Sequence, residues 1–233
     1  HSGPETAEDS RTHFGIFAPG VTQLFPKGHI INIHPWEHND VAPALAAAFS
    51  TEVPIVALHL TRPAIEVPDR EKLGMASHME ASKGAYLIRD YDDRPRDGVV
   101  IVRGTSSTNT VVSILEDISS KYNVKIVSAI SWELFDRQTS EYKSSIINSQ
   151  EWADSMIITN TGLSVMKNWI ANRVVSDYSL SPDWDNRWRT GGSLEQIIDE
   201  AHLSPRWVMK SINKFVTERV ERLERLKKEI PEK

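Results

Sequence analysis

The residues best suited to chemistry come first in the chain. His1, Glu8, Asp9 and His13 share the run His1-Ser-Gly-Pro-Glu-Thr-Ala-Glu8-Asp9-Ser10-Arg11-Thr12-His13. With no apolar periodicity and with Gly, Pro, Ser and Thr between the charges, it reads as a loop. Loops carrying several titratable groups are where sites gather. An Asp four residues before a His suits a polar substrate: the carboxylate accepts from hydroxyls and the imidazole exchanges protons near neutral pH. The alternative is a solvated loop with no role. A second candidate charge, Arg62, follows the apolar run 54–60. That places it past the carboxyl end of a buried parallel strand, where open α/β sheets bind ligands.

Three other groupings invite a role. His29, His34 and His38 suggest a metal, but Pro35 keeps His34 and His38 off a common helix face, so no zinc site is expected. Gly104-Thr-Ser-Ser107, between a strand and a helix, is either an anion nest for a regulatory ligand or a tight turn. It lacks the spacing of a P-loop or a dinucleotide fingerprint. The seven tryptophans are scattered and read as packing and domain contacts rather than a carbohydrate platform.

The elements that must hold these residues form two units. Residues 14–28 are an apolar stretch broken by Gly and Pro, a packed irregular connection. A short strand over 29–34, a small-residue helix from Asn39 or Asp40 to about Phe49, and a strand over 54–60 give β-α-β. Residues 64–83 are charged and weakly patterned, with prolines and Gly74, and read as a linker. Strands are then expected at 85–90, 98–103, 124–130 and 155–159, with a possible fifth at 173–177. Helices are expected at 108–122 and around 163–170. Alternating strands and helices imply a mostly parallel sheet. The tail is helical: Ser193-Leu-Glu-Gln196 is a capping box, and Ser204-Pro205 opens a last helix with Val208, Ile212, Phe215, Val216, Val220 and Leu223 on one face. Glu218/Arg222, Glu221/Arg225 and Glu224/Lys228 are spaced to pair on its outer side.

Composition narrows the classes. At 233 residues the chain holds one large or two small domains, and 39% hydrophobic with 25% charged residues is ordinary for a globular protein. With no cysteine there is no disulfide, thiolate metal site or cysteine nucleophile, which fits a reducing, cytoplasmic setting. A net charge of −5 gives no global attraction to nucleic acid or an anionic membrane. No apolar run approaches the ~20 residues of a membrane span. A chain that opens on such a loop, without an initiator Met, is expected to be a fragment whose upstream part lies on the same protein or a partner chain.

The first loop resembles the transketolase segment H-x6-E-D-G-P-T-H, matching at His1, Glu8, Asp9, Thr12 and His13 and departing at Ser10, Arg11 and Phe14. Leu60-Thr-Arg62 resembles the family's L-S-R, with Pro63 for the usual Gln; Lys83-Gly-Ala-Tyr86 resembles R-G-G-Y. Phe135, Asp136, Gln138, Tyr142, Lys143 and Ser145 keep the phase of F-D-x-Q followed by Y-R-x-S-V-L, while 177–189 matches poorly. The resemblance implies an incomplete three-layer α/β pyrimidine-domain tail over 1–67, a linker over 68–84, and a Rossmann-like C-terminal domain over 85–233.

It also implies part of an enzyme that moves a two-carbon ketol unit between ketose and aldose phosphates using thiamine diphosphate and a divalent metal. No G-D-G…N motif is present, so the cofactor is expected to bind outside this chain, which alone would be inactive. A homodimer acting on sugar phosphates is implied. By position His13 would act at the reacting carbonyl, Asp9 would accept from a substrate hydroxyl, and His1 and Arg62 would hold the distal phosphate. Two other readings stand beside it, a non-catalytic assembly or regulatory module and a 2-oxo acid dehydrogenase-like component.

Overall fold

The computed structural model describes residues 2–189 and 191–229. The first unit has β1 (Ile30–Ile33) and β2 (Ile55–Leu58) in parallel register, Ile30 opposite Ile55 and Ile33 opposite Leu58. Ahead of them lies the short helix α1 (Ala18–Thr22), and α2 (Val41–Phe49) crosses between them. Pro43 is tolerated near the start of α2, where amide donors have no intrahelical partner. Asp40 does not cap that helix; its carboxylate is spent on Arg70 and Tyr86.

The second unit is a four-stranded sheet of β3 (Ala85–Arg89), β4 (Gly98–Arg103), β5 (Val124–Ala129) and β6 (Ser155–Thr159), in the order β3-β5-β4-β6. β4 pairs in parallel with both β5 and β6, and β3 runs antiparallel at the edge. The expected mixed α/β architecture with mostly parallel strands is present. β4, β5 and β6 are buried on both faces, which is why they read as near-continuous apolar runs.

The expected helix over 108–122 is two, α3 (Thr105–Ser113) and α4 (Leu115–Lys121), broken at Ile114. Next come α5 (Trp132–Asp136), α6 (Ser140–Ile146) and α7 (Ser149–Ala153). The possible fifth strand is a helix, α8 (Arg173–Tyr178). Asn172 caps it by accepting from the Val175 amide at 3.0 Å, and Val174 and Val175 are buried. Adjacent Val residues suit a strand by propensity, but the cap and packing override it.

Helix α9 (Leu194–Glu200) carries the expected capping box. The last helix is again two, α10 (Pro205–Thr217) and α11 (Arg219–Glu229). The expected apolar face continues past that break, where Leu223 packs against the core, but Val220 falls off it and is 75% exposed. In place of an outer ladder of ion pairs, Arg222 turns inward to Asp154 at 2.7 Å and Arg225 reaches Asp177. Ser204 does not cap α10; its hydroxyl donates to Asp199 at 2.6 Å.

Residues 64–83, charged and weakly patterned, end in a 3-10 helix (His78–Lys83) and contain a buried cation. Arg70 donates to Glu37 at 2.6 Å, Asp40 at 2.7 Å and the Tyr86 hydroxyl at 3.0 Å. Tyr86 in turn donates to Asp40 and accepts from the Trp36 indole. One apolar core that includes Ile31, Ile33, Trp36, Tyr86, Ile126 and Phe215 runs through both units.

Candidate functional site

The first loop is a closed structure rather than a free tail. The Gly15 amide donates to the Gly3 carbonyl at 3.2 Å, and the Ser2 amide donates to Leu60 at 2.9 Å, past the end of β2. Inside the loop are two 3-10 turns, Glu5–Glu8 and Arg11–His13. Ser10 accepts from the Thr12 amide at 3.3 Å and so starts the second turn. Ala7, Phe14 and Ile16 form a small apolar cluster with Ile197 of α9. Phe14, where the resemblance has Gln, is therefore an anchor, 3% exposed and edge-on to Trp188 at 5.3 Å. The Trp188 indole also donates to the Arg11 carbonyl. Trp188 escaped the sequence reading because 177–189 offered no motif; it was one tryptophan among seven.

Asp9 and Arg62, from separate motifs, meet in an ion pair. Both side chains are about half exposed, 46% and 45%. An ion pair this open contributes roughly 0–1 kcal/mol, so each partner is available to a ligand. His13 ends the second 3-10 turn, its Nδ1 lying 3.3 Å from the Thr12 hydroxyl. His1, also expected to bind substrate, lies outside the described residues.

Glu5 was missed, and it settles the Gly104 turn. Its side chain is buried at the carboxyl ends of β4 and β6, where Oε1 accepts from the Ser106 amide and the Asn160 carboxamide, both at 2.9 Å. The start of α3 is thus an anion site already occupied by the chain's own carboxylate. Gly104 makes this possible: its φ is +92°, and a Cβ there would land on the Asn160 carboxamide. Burial raises the Glu5 carboxyl above its usual range, opposed by hydrogen bonds from Ser106 and Asn160. A signal existed in the sequence, an acid in the loop and a Gly-Thr-Ser turn, but nothing in spacing pairs them.

A second polar seam joins the units at the free edge of β1. The Asn32 amide and carboxamide donate to Glu133 at 3.3 and 3.1 Å, and the His34 amide donates to Ile130 at 2.7 Å. His34 stacks on His59 at 4.4 Å, and His59 Nε2 lies 3.1 Å from Asn32. Burial, with Arg103 nearby, lowers both imidazoles, His59 to about 4, so the pair is neutral at pH 7. Burial likewise pushes Arg103 down to about 9. His29 and His38 are exposed and apart from this stack. Among the described residues no three His, Asp or Glu side chains form a metal-ligating cluster. The donor set of the described residues does not fit the metal of a bound diphosphate.

Comparison with known proteins bears on the second unit first. Residues 84–177 match the family model of the transketolase-like C-terminal domain. The chloroplastic transketolase of Craterostigma plantagineum is 29% identical over 154 residues, 64% of this chain and 28% of that one. Over that stretch the chain is similar to the C-terminal part of transketolases. The chloroplastic transketolase of Zea mays is 30% identical over 152 residues, 63% of this chain and 21% of that protein. Among solved structures, transketolase from Leishmania mexicana superposes with a TM-score of 0.74 at 17% identity, covering 94% of this chain and 29% of its own. Transketolase from Pichia stipitis, in complex with sedoheptulose-7-phosphate, gives 0.68 at 22% identity over 93% of this chain. Those two likenesses concern the fold. The chain spans under a third of the length of these transketolases. No helix among the described residues is long and apolar enough to cross a membrane.

Proposed function

We propose that this chain supplies the substrate side of a thiamine-diphosphate-dependent ketol transferase, acting between ketose and aldose phosphates. The division it implies is a pyrimidine-domain tail over 1–67, a connection over 68–84 and a C-terminal domain over 85–233. The cofactor and its divalent metal would be held by residues outside this chain, in a homodimer of the complete cytoplasmic enzyme. When bound, thiamine diphosphate supplies the carbanion chemistry of ketol transfer.

The observation that carries this reading is the Asp9–Arg62 pair beyond the end of β2. A phosphate would take Arg62 through bidentate, charge-assisted bonds of about 1.5–3 kcal/mol each. That exceeds the roughly 0–1 kcal/mol of an exposed ion pair, so phosphate displaces Asp9. The released carboxylate is then free to accept from a sugar hydroxyl. His13, on the same loop, donates near the reacting carbonyl, where negative charge develops. Arg11 and Pro63, which depart from the family pattern, lie next to these groups and would tune the choice of sugar.

The test is an assay of the complete protein for ketol transfer from a ketose phosphate to an aldose phosphate. Turnover that requires added thiamine diphosphate and a divalent metal is expected. Protein saturated with both that gives no transfer with any pentose or hexose phosphate donor would overturn the reading.

A further inference from the structure

Three places where this chain departs from the transketolase pattern meet at one contact: Arg11 and Phe14 on the first loop, and Trp188 in the poorly matching run 177–189. Residues 181–189 contain neither helix nor strand, yet they are fastened to the end of α9. Arg189, 3% exposed, donates to the Glu200 carbonyl at 2.9 Å and to Asp185 at 3.0 Å. The Trp184 indole donates to the same Glu200 carbonyl at 3.3 Å. In the turn between α9 and α10, the His202 imidazole is stacked on both faces, by Trp184 at 3.8 Å and by Trp207 of α10 at 3.7 Å. Among the described residues only Asn186 and His202 have a left-handed backbone without being glycine, with φ of +54° and +61°. Such conformations persist where the surroundings over-determine them, and both lie in this segment or its attachment.

From that anchored segment Trp188 reaches the loop. Its ring meets Phe14 edge-on, and its N–H donates to the Arg11 carbonyl. The Arg11 carbonyl also accepts from the Phe14 amide at 3.3 Å, the bond that closes the second 3-10 turn. One oxygen with two lone pairs thus ties the turn to the segment. His13 lies inside that turn, and Asp9, paired with Arg62, lies just ahead of it.

We propose that residues 181–189 are a strap that fixes the shape of the first loop, with Trp188 as the positioning residue and the His202 stack as its clamp. The functional half of this proposal rests on reading Asp9, His13 and Arg62 as substrate contacts; the structural half does not. Without the strap the loop is still tied at Ser2 to Leu60 and at Gly15 to Gly3, so it persists. Its Arg11–Phe14 turn then opens more often, and a small misplacement of a reacting group is costly in rate.

Amide hydrogen exchange of the protein, read at Phe14 and Gly15, tests the strap. Trp188→Ala should speed exchange at both amides by about tenfold, with the amides of β4 unchanged. Trp188→Phe keeps a ring against Phe14 but loses the donor to Arg11, and should have a smaller effect. His202→Asn removes the stacked ring while keeping a residue that tolerates the left-handed backbone. It should speed the same two amides by about threefold, and it keeps the test valid if Trp188→Ala fails to fold. Unchanged exchange at Phe14 and Gly15, or equal acceleration in β4, would overturn the strap whether or not the protein transfers ketol units. In the complete enzyme, Trp188→Ala should lower kcat/KM for a phosphorylated ketose by about tenfold, with thiamine diphosphate affinity unchanged and partial recovery in Trp188→Phe. Faster exchange with unaltered kcat/KM would overturn the positioning role.

Discussion

Replacing Arg70 with Met should be among the most damaging changes outside the candidate site. The side chain is 9% exposed, and the two carboxylates it holds, Glu37 and Asp40, are fully buried. Met roughly conserves the aliphatic volume, so the loss is electrostatic. It strands two buried acids and removes four donor contacts, the fourth to the Ala76 carbonyl. Breaking a buried pair from one side costs about 3–5 kcal/mol, against a total of roughly 5–15 kcal/mol for a domain.

The pH dependence has a definite sign. Burial raises Asp40 to about 7, with Arg70 and Tyr86 pulling it down and Glu37 pushing it up. A carboxyl whose folded value exceeds its unfolded one contributes stability that is full below the unfolded value and is lost as pH rises through about 7. Without Arg70 the folded value climbs further, so the variant's deficit should be largest near pH 8 and should shrink by pH 5. Urea denaturation at both pH values measures it. A deficit below about 1 kcal/mol at pH 8, or one that is no smaller at pH 5, would refute the reasoning.

Gly104→Ala should destabilise by about 1–3 kcal/mol, since the left-handed φ and the collision with Asn160 act together; chemical denaturation reads the loss. Asp9→Asn should tighten binding of inorganic phosphate to Arg62 by up to about fivefold, the value of an exposed ion pair, as measured by calorimetry. A weaker affinity would mean that Asp9 helps to hold the anion. His13→Ala should lower turnover of the complete enzyme by roughly 10²-fold with cofactor affinity unchanged, as read from steady-state kinetics.

The apolar runs over 98–103, 124–130 and 155–159 made the central sheet legible, because a strand buried on both faces has little choice of residue. The capping box at Ser193 was equally local and equally readable. Residues 173–177 misled because β-branched residues favour strands, while the deciding bond, from the Val175 amide to Asn172, is a single cap. The inward turn of Arg222 was hidden because i,i+4 spacing describes an isolated helix, and Asp154 lies far away in sequence. In the candidate site, Asp9 and Arg62 were picked out separately by motif, and their meeting is a tertiary fact. Glu5 in the Gly104 turn and Trp188 on the loop are contacts of the same kind.

The central claim is that Arg62 receives the phosphate of the substrate. Steady-state kinetics of the complete enzyme with Arg62→Ala, comparing a phosphorylated ketose donor with its unphosphorylated counterpart, test it most directly. Losing a bidentate charge-assisted contact of about 3 kcal/mol should lower kcat/KM for the phosphorylated donor by roughly 10²-fold. The unphosphorylated donor and the affinity for thiamine diphosphate should be nearly unaffected. Equal losses with both donors, or none with either, would contradict the account.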